Sequence, residues 1–147
     1  MALVLGLDVG DRRIGTALAD DAIRIATPHA TFNRAQGRAE EAILRLVTDR
    51  GIVRIVAGLP LNEDGTRSEQ CLKVENFCRR LQRRLNIEVI FVDEYLSSFE
   101  SEELLRTASP RGRGGRNRTE RERGAVDAVS AQVILERYFS QMGVGPG

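Results

Sequence analysis

Apolar and polar positions along this chain switch between two periods, and the switches mark out its elements. Leu3–Val9 (LVLGLDV) is nearly continuously apolar, as expected for a strand buried on both faces. A polar link, Gly10-Asp11-Arg12, leads into a second apolar run, Ile14–Ala19, so the opening predicts a hairpin. Ile23–Phe32 predicts a third, shorter strand at a sheet edge, because Pro28 has no N–H to give a ladder. From Gln36 the period becomes helical: Ala39, Ile43, Leu46 and Val47 recur on one side as far as Arg50, and Gly51 is the stop. Ile52–Ala57 (IVRIVA) predicts a fourth strand, followed by a Gly58–Gly65 loop of turn residues. Thr66 and Glu69 have the T-x-x-E spacing of a capping box. The helix they open carries Cys71, Val74, Cys78, Leu81 and Leu85 on one stripe, with Arg79, Arg80, Arg83 and Arg84 on a solvated face. Ile87–Val92 predicts a fifth strand that ends on Asp93-Glu94. Ser97 and Glu100 form a second capping box, for a short helix to Thr107. Ser109–Arg123, rich in Arg and Gly, has nothing apolar to pack and reads as a mobile loop. A last helix spans about 124–140, with a frayed tail over 141–147.

This order predicts one α/β domain over 1–147. Its five-stranded mixed sheet has the first three strands antiparallel, and the later, helix-linked strands parallel to the first. Ligands of such sheets bind beyond the carboxyl ends of parallel strands. Asp8, the Gly58–Gly65 loop and the Asp93-Glu94 pair would all emerge at that edge.

The chemistry follows from acids in unexpected places. A carboxylate at Asp8, inside a buried strand, is costly unless a cation or strong donors meet it. The plainer alternative is a turn residue bonding the amides of Gly10 or Asp11. In the last helix Asp127 falls on the same face as Ala131, Ile134, Leu135 and Tyr138, whereas Ser130, Gln132, Glu136 and Arg137 lie elsewhere. An acid in a first helical turn also suits the helix dipole, which is the plainer reading of Asp127. Acids with no buried Lys or Arg in their own segments would repel one another. A divalent cation resolves that repulsion, and an oxygen-only donor set suits Mg²⁺ or Mn²⁺ rather than Zn²⁺.

Composition refines the picture. The chain has 147 residues, 29% of them charged, with a net charge of only +1, so it is not a polycation as a whole. Its positive charge is almost all Arg, which suits bidentate phosphate contacts. Cys71 and Cys78 share a helix face about 10 Å apart along the axis, which makes them core thiols and excludes a disulfide between them. With no signal peptide and no apolar run long enough to span a bilayer, a cytoplasmic protein is expected. The sole histidine, His29, reads as a surface residue.

Four stretches carry a resemblance: GLDVGDRRIGTALAD at Gly6–Asp20, GLPLNEDGT at Gly58–Thr66, DEYLSS at Asp93–Ser98 and GAVDAVSAQVILERY at Gly124–Tyr138. In these motifs, their order and their spacing, the chain resembles the YqgF/RuvX family of Holliday junction resolvases and pre-16S rRNA nucleases, which have a ribonuclease H-like fold. The family's three acidic positions fall on Asp8, Glu94 and Asp127; strand alternation alone leaves Asp93 and Glu94 unresolved, and the family pattern selects Glu94. This chain departs from the family's D-E-R-L-T-T in having Tyr95 for the Arg and Ser97-Ser98 for the two Thr. The substitution removes a guanidinium close to the acids.

The resemblance implies metal-assisted phosphodiester hydrolysis. Asp8 would bridge two metal ions about 4 Å apart, with Glu94 and Asp127 each completing one site. It also implies nucleic-acid contacts from Arg12, Arg13, Asn62 and Thr66, and from Arg111, Arg113, Arg116 and Arg118 of the Arg/Gly-rich loop. The expected partners are structured or single-stranded RNA, or branched DNA, bound by a monomer or weak homodimer. Two other readings stand beside it: a non-catalytic RNA- or ribosome-binding protein that keeps the acids, and an actin-like nucleotide-binding domain, to which Asp8-Val9-Gly10 and Gly15-Thr16 bear some likeness.

Overall fold

The opening hairpin forms as expected, and the sheet grows outward from it. A computed structural model of the protein describes residues 2–62, 64–93 and 120–142. Strands β1 (Leu3–Val9), β2 (Arg13–Asp20), β3 (Ala26–Asn33), β4 (Ile52–Leu59) and β5 (Glu88–Asp93) form one sheet in the order β3-β2-β1-β4-β5. The β1–β2 and β2–β3 pairs are antiparallel; β1–β4 and β4–β5 are parallel. Helices α1 (Arg38–Arg50) and α2 (Glu69–Leu85) cover one face, and α3 (Glu120–Met142) covers the other.

Strand alternation sorts the two cores. Leu5, Leu7, Val9 and Ile14 pack with Ile43, Val74, Phe77 and Leu81 under α1 and α2. Val4, Ala17, Ala19, Val56 and Val92 pack with Ala131, Ile134, Leu135 and Tyr138 of α3. Cys71 and Cys78 are both buried and reduced, as their shared stripe predicts. Phe77, on the same side of α2, is also buried beneath the guanidinium groups of Arg34 and Arg80, which lie 5.0 and 5.4 Å from its ring centre.

Edge strand β3 holds Pro28, as predicted, and its ladder with β2 shifts register between Thr16 and Ala17. The buried Thr16 hydroxyl repairs the break: it donates to the Ala30 carbonyl at 2.6 Å and accepts from the Ala30 amide at 3.1 Å.

Several boundaries differ from expectation, each for a local reason. The third strand begins at Ala26 rather than Ile23, because the Asp20 carboxylate accepts from the amides of Ala22 and Ile23, and Arg24 takes a φ of 62°. That turn leaves Ile23 and Ile25 exposed. Helix α1 starts at Arg38, since Gln36 and Gly37 both have positive φ. The Thr66–Glu69 capping box does not form. Helix α2 starts at Glu69 after Ser68, whose hydroxyl donates to the Pro60 carbonyl instead, while Thr66 bonds Asp64. The arginine face of α2 is exposed but not merely solvated: Arg80 and Arg84 pair with Glu40, and Arg84 also with Glu41, each at 3.2 Å.

Helix α3 begins at Glu120, so the last four residues of the expected Ser109–Arg123 loop are helical. Asp127 is therefore two turns inside the helix, too far from its N-terminus for the dipole to account for it. Ser130, expected off the apolar face, is buried, as is Phe139. Residues 141 and 142 of the expected tail continue α3; the second capping box at Ser97 and Glu100, its helix, and residues 143–147 lie outside the described residues.

Candidate active site

The site is built where α3 meets the carboxyl end of β1. Asp8 pairs with Gly15 across the β1–β2 ladder and, by parity with Val4 and Gly6, belongs to the face that α3 covers. A Cβ placed on Gly15 would lie 2.0 Å from the Asp127 carbonyl oxygen. The backbone of Asp127 thus rests directly on Gly15, one strand spacing from Asp8. Opposed Cα atoms in such a ladder are about 4.5–5.5 Å apart, so the fold delivers two acids from distant segments to one small region. The same approach is repeated deeper in the sheet, where a Cβ on Gly6 would meet Leu135 Cγ at 2.6 Å. A glycine inside a strand signals such a backbone approach. That signal, read in the sequence only as a phosphate-loop likeness, marks Gly15 as a residue that builds the site.

The electrostatics of Asp127 carry a second result. Arg13 Nε donates to Asp127 Oδ2 at 2.7 Å, with the two side chains 24% and 21% exposed. This part-buried cation comes to Asp127 from β2 and not from its own helix. Thr31 Oγ1 donates to the Gly124 carbonyl at 2.7 Å and Gln132 Nε2 to the Ala26 carbonyl at 3.2 Å, so β3 ties down α3 on both sides of Asp127.

The other candidate residues have distinct settings. Arg12 is exposed in the hairpin turn, where its carbonyl accepts from the Arg34 amide at 2.8 Å. Asn62 and Thr66 are exposed and close a turn on each other: Asn62 Nδ2 donates to Thr66 Oγ1 at 2.9 Å, and the Asn62 amide to the Thr66 carbonyl at 2.8 Å. The Thr66 hydroxyl, and then its amide, hold the Asp64 carboxyl below the usual range. This turn follows β4, at the same sheet edge as Asp8. Asp93 shares parity with Val89 and Phe91, which pack on the α1/α2 core, so it does not share a face with Asp8. His29 is exposed, as expected, and partial burial followed by the charge of Arg50 lowers its pKa.

Glu94, Arg111, Arg113, Arg116 and Arg118 lie outside the described residues. Among the described residues no group of three or more His, Cys, Asp or Glu is placed to hold a metal ion. What they provide is two carboxylates, Asp8 and Asp127, at one end of one sheet face. That pair has the chemistry of a partial hard-cation site, with oxygen donors alone.

Comparison with known proteins agrees with this architecture. The family model RuvX, described as Holliday junction resolvase, matches residues 2–141. A relative from Chloroflexus aurantiacus named as a candidate pre-16S rRNA nuclease is 38% identical over 138 residues, covering 93% of this chain and 86% of its own. One of the same name from Anaeromyxobacter dehalogenans is 41% identical over 139 residues, covering 93% and 96%. In fold, the chain is similar to Thermus thermophilus RuvC in complex with a Holliday junction substrate, with a TM-score of 0.58, 11% identity and coverage of 99% and 98%. It is also similar to fowlpox virus resolvase in complex with Holliday junction DNA, with a TM-score of 0.54, 13% identity and coverage of 96% and 99%. The fold is the ribonuclease H-like one expected.

Proposed function

This chain belongs to the RuvX family of Holliday junction resolvases, and on that premise we propose that it is a divalent-metal-dependent endonuclease that processes the 5′ end of pre-16S rRNA. The observation that carries the reading is the placement of Asp127 over Gly15, directly across the ladder from Asp8. Asp8 and Asp127 would hold the metal, Mg²⁺ or Mn²⁺, together with Glu94. The setting of Asp93 on the opposite face favours Glu94 as the third acid. When bound, the metal would supply an activated water and a stabilised leaving oxygen.

The chain's own residues do the rest. Asp8 and Asp127 orient their carboxylates from rigid elements, a central strand and a helix pinned by Thr31 and Gln132. Arg12, Asn62 and Thr66 stand on the two loops that border the acids and would position the phosphate backbone. Arg111, Arg113, Arg116 and Arg118 would add salt-dependent grip on flanking phosphates.

We favour RNA over a four-way junction because paired cuts need two symmetric sites, hence a stable dimer. Large apolar side chains exposed among the described residues are Ile23, Ile25, Val53 and Leu72, a small set for a permanent interface. The test is incubation of purified protein with end-labelled precursor rRNA and with a four-way junction, in Mn²⁺ or EDTA. The reading expects Mn²⁺-dependent RNA cleavage that EDTA abolishes. Symmetric nicking of the junction alone would assign the protein to junction resolution, and binding without cleavage of either substrate would make it a non-catalytic binder.

A further inference from the structure

We propose that Arg13 is an exchangeable counter-ion: it holds Asp127 while no metal does, and turns to a substrate phosphate once a divalent cation takes that carboxylate. The inference rests on the reading of Asp127 as a metal ligand and adds to it a coupling between metal and nucleic acid.

Four features of the structure lead there. The Arg13–Asp127 bond runs through Nε, a single contact of 2.7 Å rather than the two parallel bonds of an end-on fork. It is the one side-chain bond that Arg13 makes among the described residues. Both side chains keep about a fifth to a quarter of their surface open to solvent, so the guanidinium has room to leave. Finally, Arg13 is the first residue of β2, next to the exposed hairpin turn at the sheet edge where Asp8 lies.

Charge favours the exchange. A dication and a guanidinium that both meet one carboxylate oxygen repel each other at short range in a part-buried site. The stronger charge keeps the oxygen and the guanidinium is displaced. A displaced arginine beside a metal centre is stabilised by an anion, and a phosphodiester matches its planar donors. Metal binding would therefore expose a phosphate contact that the metal-free protein lacks, and a bound phosphate would in turn favour the metal.

The experiment measures nucleic-acid affinity against salt by fluorescence anisotropy. It uses a fixed single-stranded RNA, in EDTA or in Ca²⁺, for the wild type, Arg13→Gln, Arg13→Lys and Asp127→Asn. Calorimetric titration with Mn²⁺ accompanies it, and circular dichroism checks that each variant is folded. In EDTA, wild type and Arg13→Gln should give equal log–log slopes. In Ca²⁺ the wild-type slope should be steeper by about 0.7, one phosphate contact on a single strand. Arg13→Lys should restore the difference, and Asp127→Asn should show the steeper slope already in EDTA. Arg13→Gln should bind Mn²⁺ several-fold more tightly, having lost its internal competitor.

Mn²⁺ binding with equal slopes for wild type and Arg13→Gln in both media would overturn the exchange while leaving the metal site intact. A lower slope for Arg13→Gln already in EDTA would overturn it too, by making Arg13 a permanent phosphate contact. Absence of Mn²⁺ binding by the wild type would defeat the metal-site reading itself, and the exchange with it.

Discussion

At the scale of single residues, the site depends on a missing side chain as much as on its acids. Gly15 lets the α3 backbone touch the sheet, and Gly15→Ala would put a methyl group 2.0 Å from the Asp127 carbonyl. The obstacle is backbone, which cannot rotate aside. Urea unfolding should show a loss of about 3 kcal/mol, at the upper end of overpacking effects, and cleavage should fall because Asp127 is displaced. An unchanged midpoint would mean that α3 does not lie on Gly15 as described. Cys78 offers a second check. Burial pushes its thiol up to about 12 from an ordinary 9.0, so the folded protein keeps a proton that the unfolded chain releases. Its effect is negligible well below pH 9, and stability falls as pH rises through 9 towards 12, by at most about 1.4 kcal/mol per pH unit. Denaturant titrations at pH 8 to 10.5 should find this alkaline slope in the wild type and a shallower one in Cys78→Ala. Asp8 and Asp127 are legible in the sequence as anomalies, charges on apolar faces. The Arg13 pairing is not, because it joins residues 114 positions apart and no local period reports such a contact.

At the scale of elements, period and turn chemistry located every described strand and α-helix, and errors collected at their ends. The capping box at Thr66 and Glu69 is the instructive failure. Its spacing fits, but Thr66 has nearer partners in Asp64 and Asn62, and the helix waits for Ser68. Local side-chain competition of this kind is invisible to a spacing rule. The extension of α3 back to Glu120 has another cause. Residues 120–123 are charged and lack an apolar stripe, yet they continue a helix already anchored by Thr31 at Gly124. The stretch before α3 carries its own prediction. Replacing Arg111, Arg113, Arg116 and Arg118 together with Ala should weaken RNA binding and flatten its salt dependence, by about 0.7 in the log–log slope for each phosphate no longer neutralised. Unaltered affinity and slope would make that segment a plain connector and shift attention to Arg79 and Arg83 on α2.

At the scale of the whole molecule, the sheet carries two cores, and only one of them borders the acids. The α1/α2 side is bound by the Phe77 core and by the ion pairs of Glu40 and Glu41 with Arg80 and Arg84. The α3 side is bound by small residues, Gly6, Ala17, Ala19 and Ala131, that bring a helix close enough to place a carboxylate. Fold class and strand directions followed from element order alone, because hairpins force antiparallel pairing and helical crossovers force parallel pairing. No helix among the described residues is long and apolar enough to cross a membrane. Light scattering across a concentration series should report a monomer, and a stable dimer at nanomolar protein would favour junction resolution instead. The most direct test of the account is a single comparison: Mn²⁺-dependent cleavage of labelled precursor rRNA by wild type and by Asp8→Asn, with circular dichroism confirming that both are folded. Asp8→Asn should still bind the RNA but no longer cut it; undiminished cleavage by folded Asp8→Asn would remove Asp8 from the chemistry and overturn the metal site.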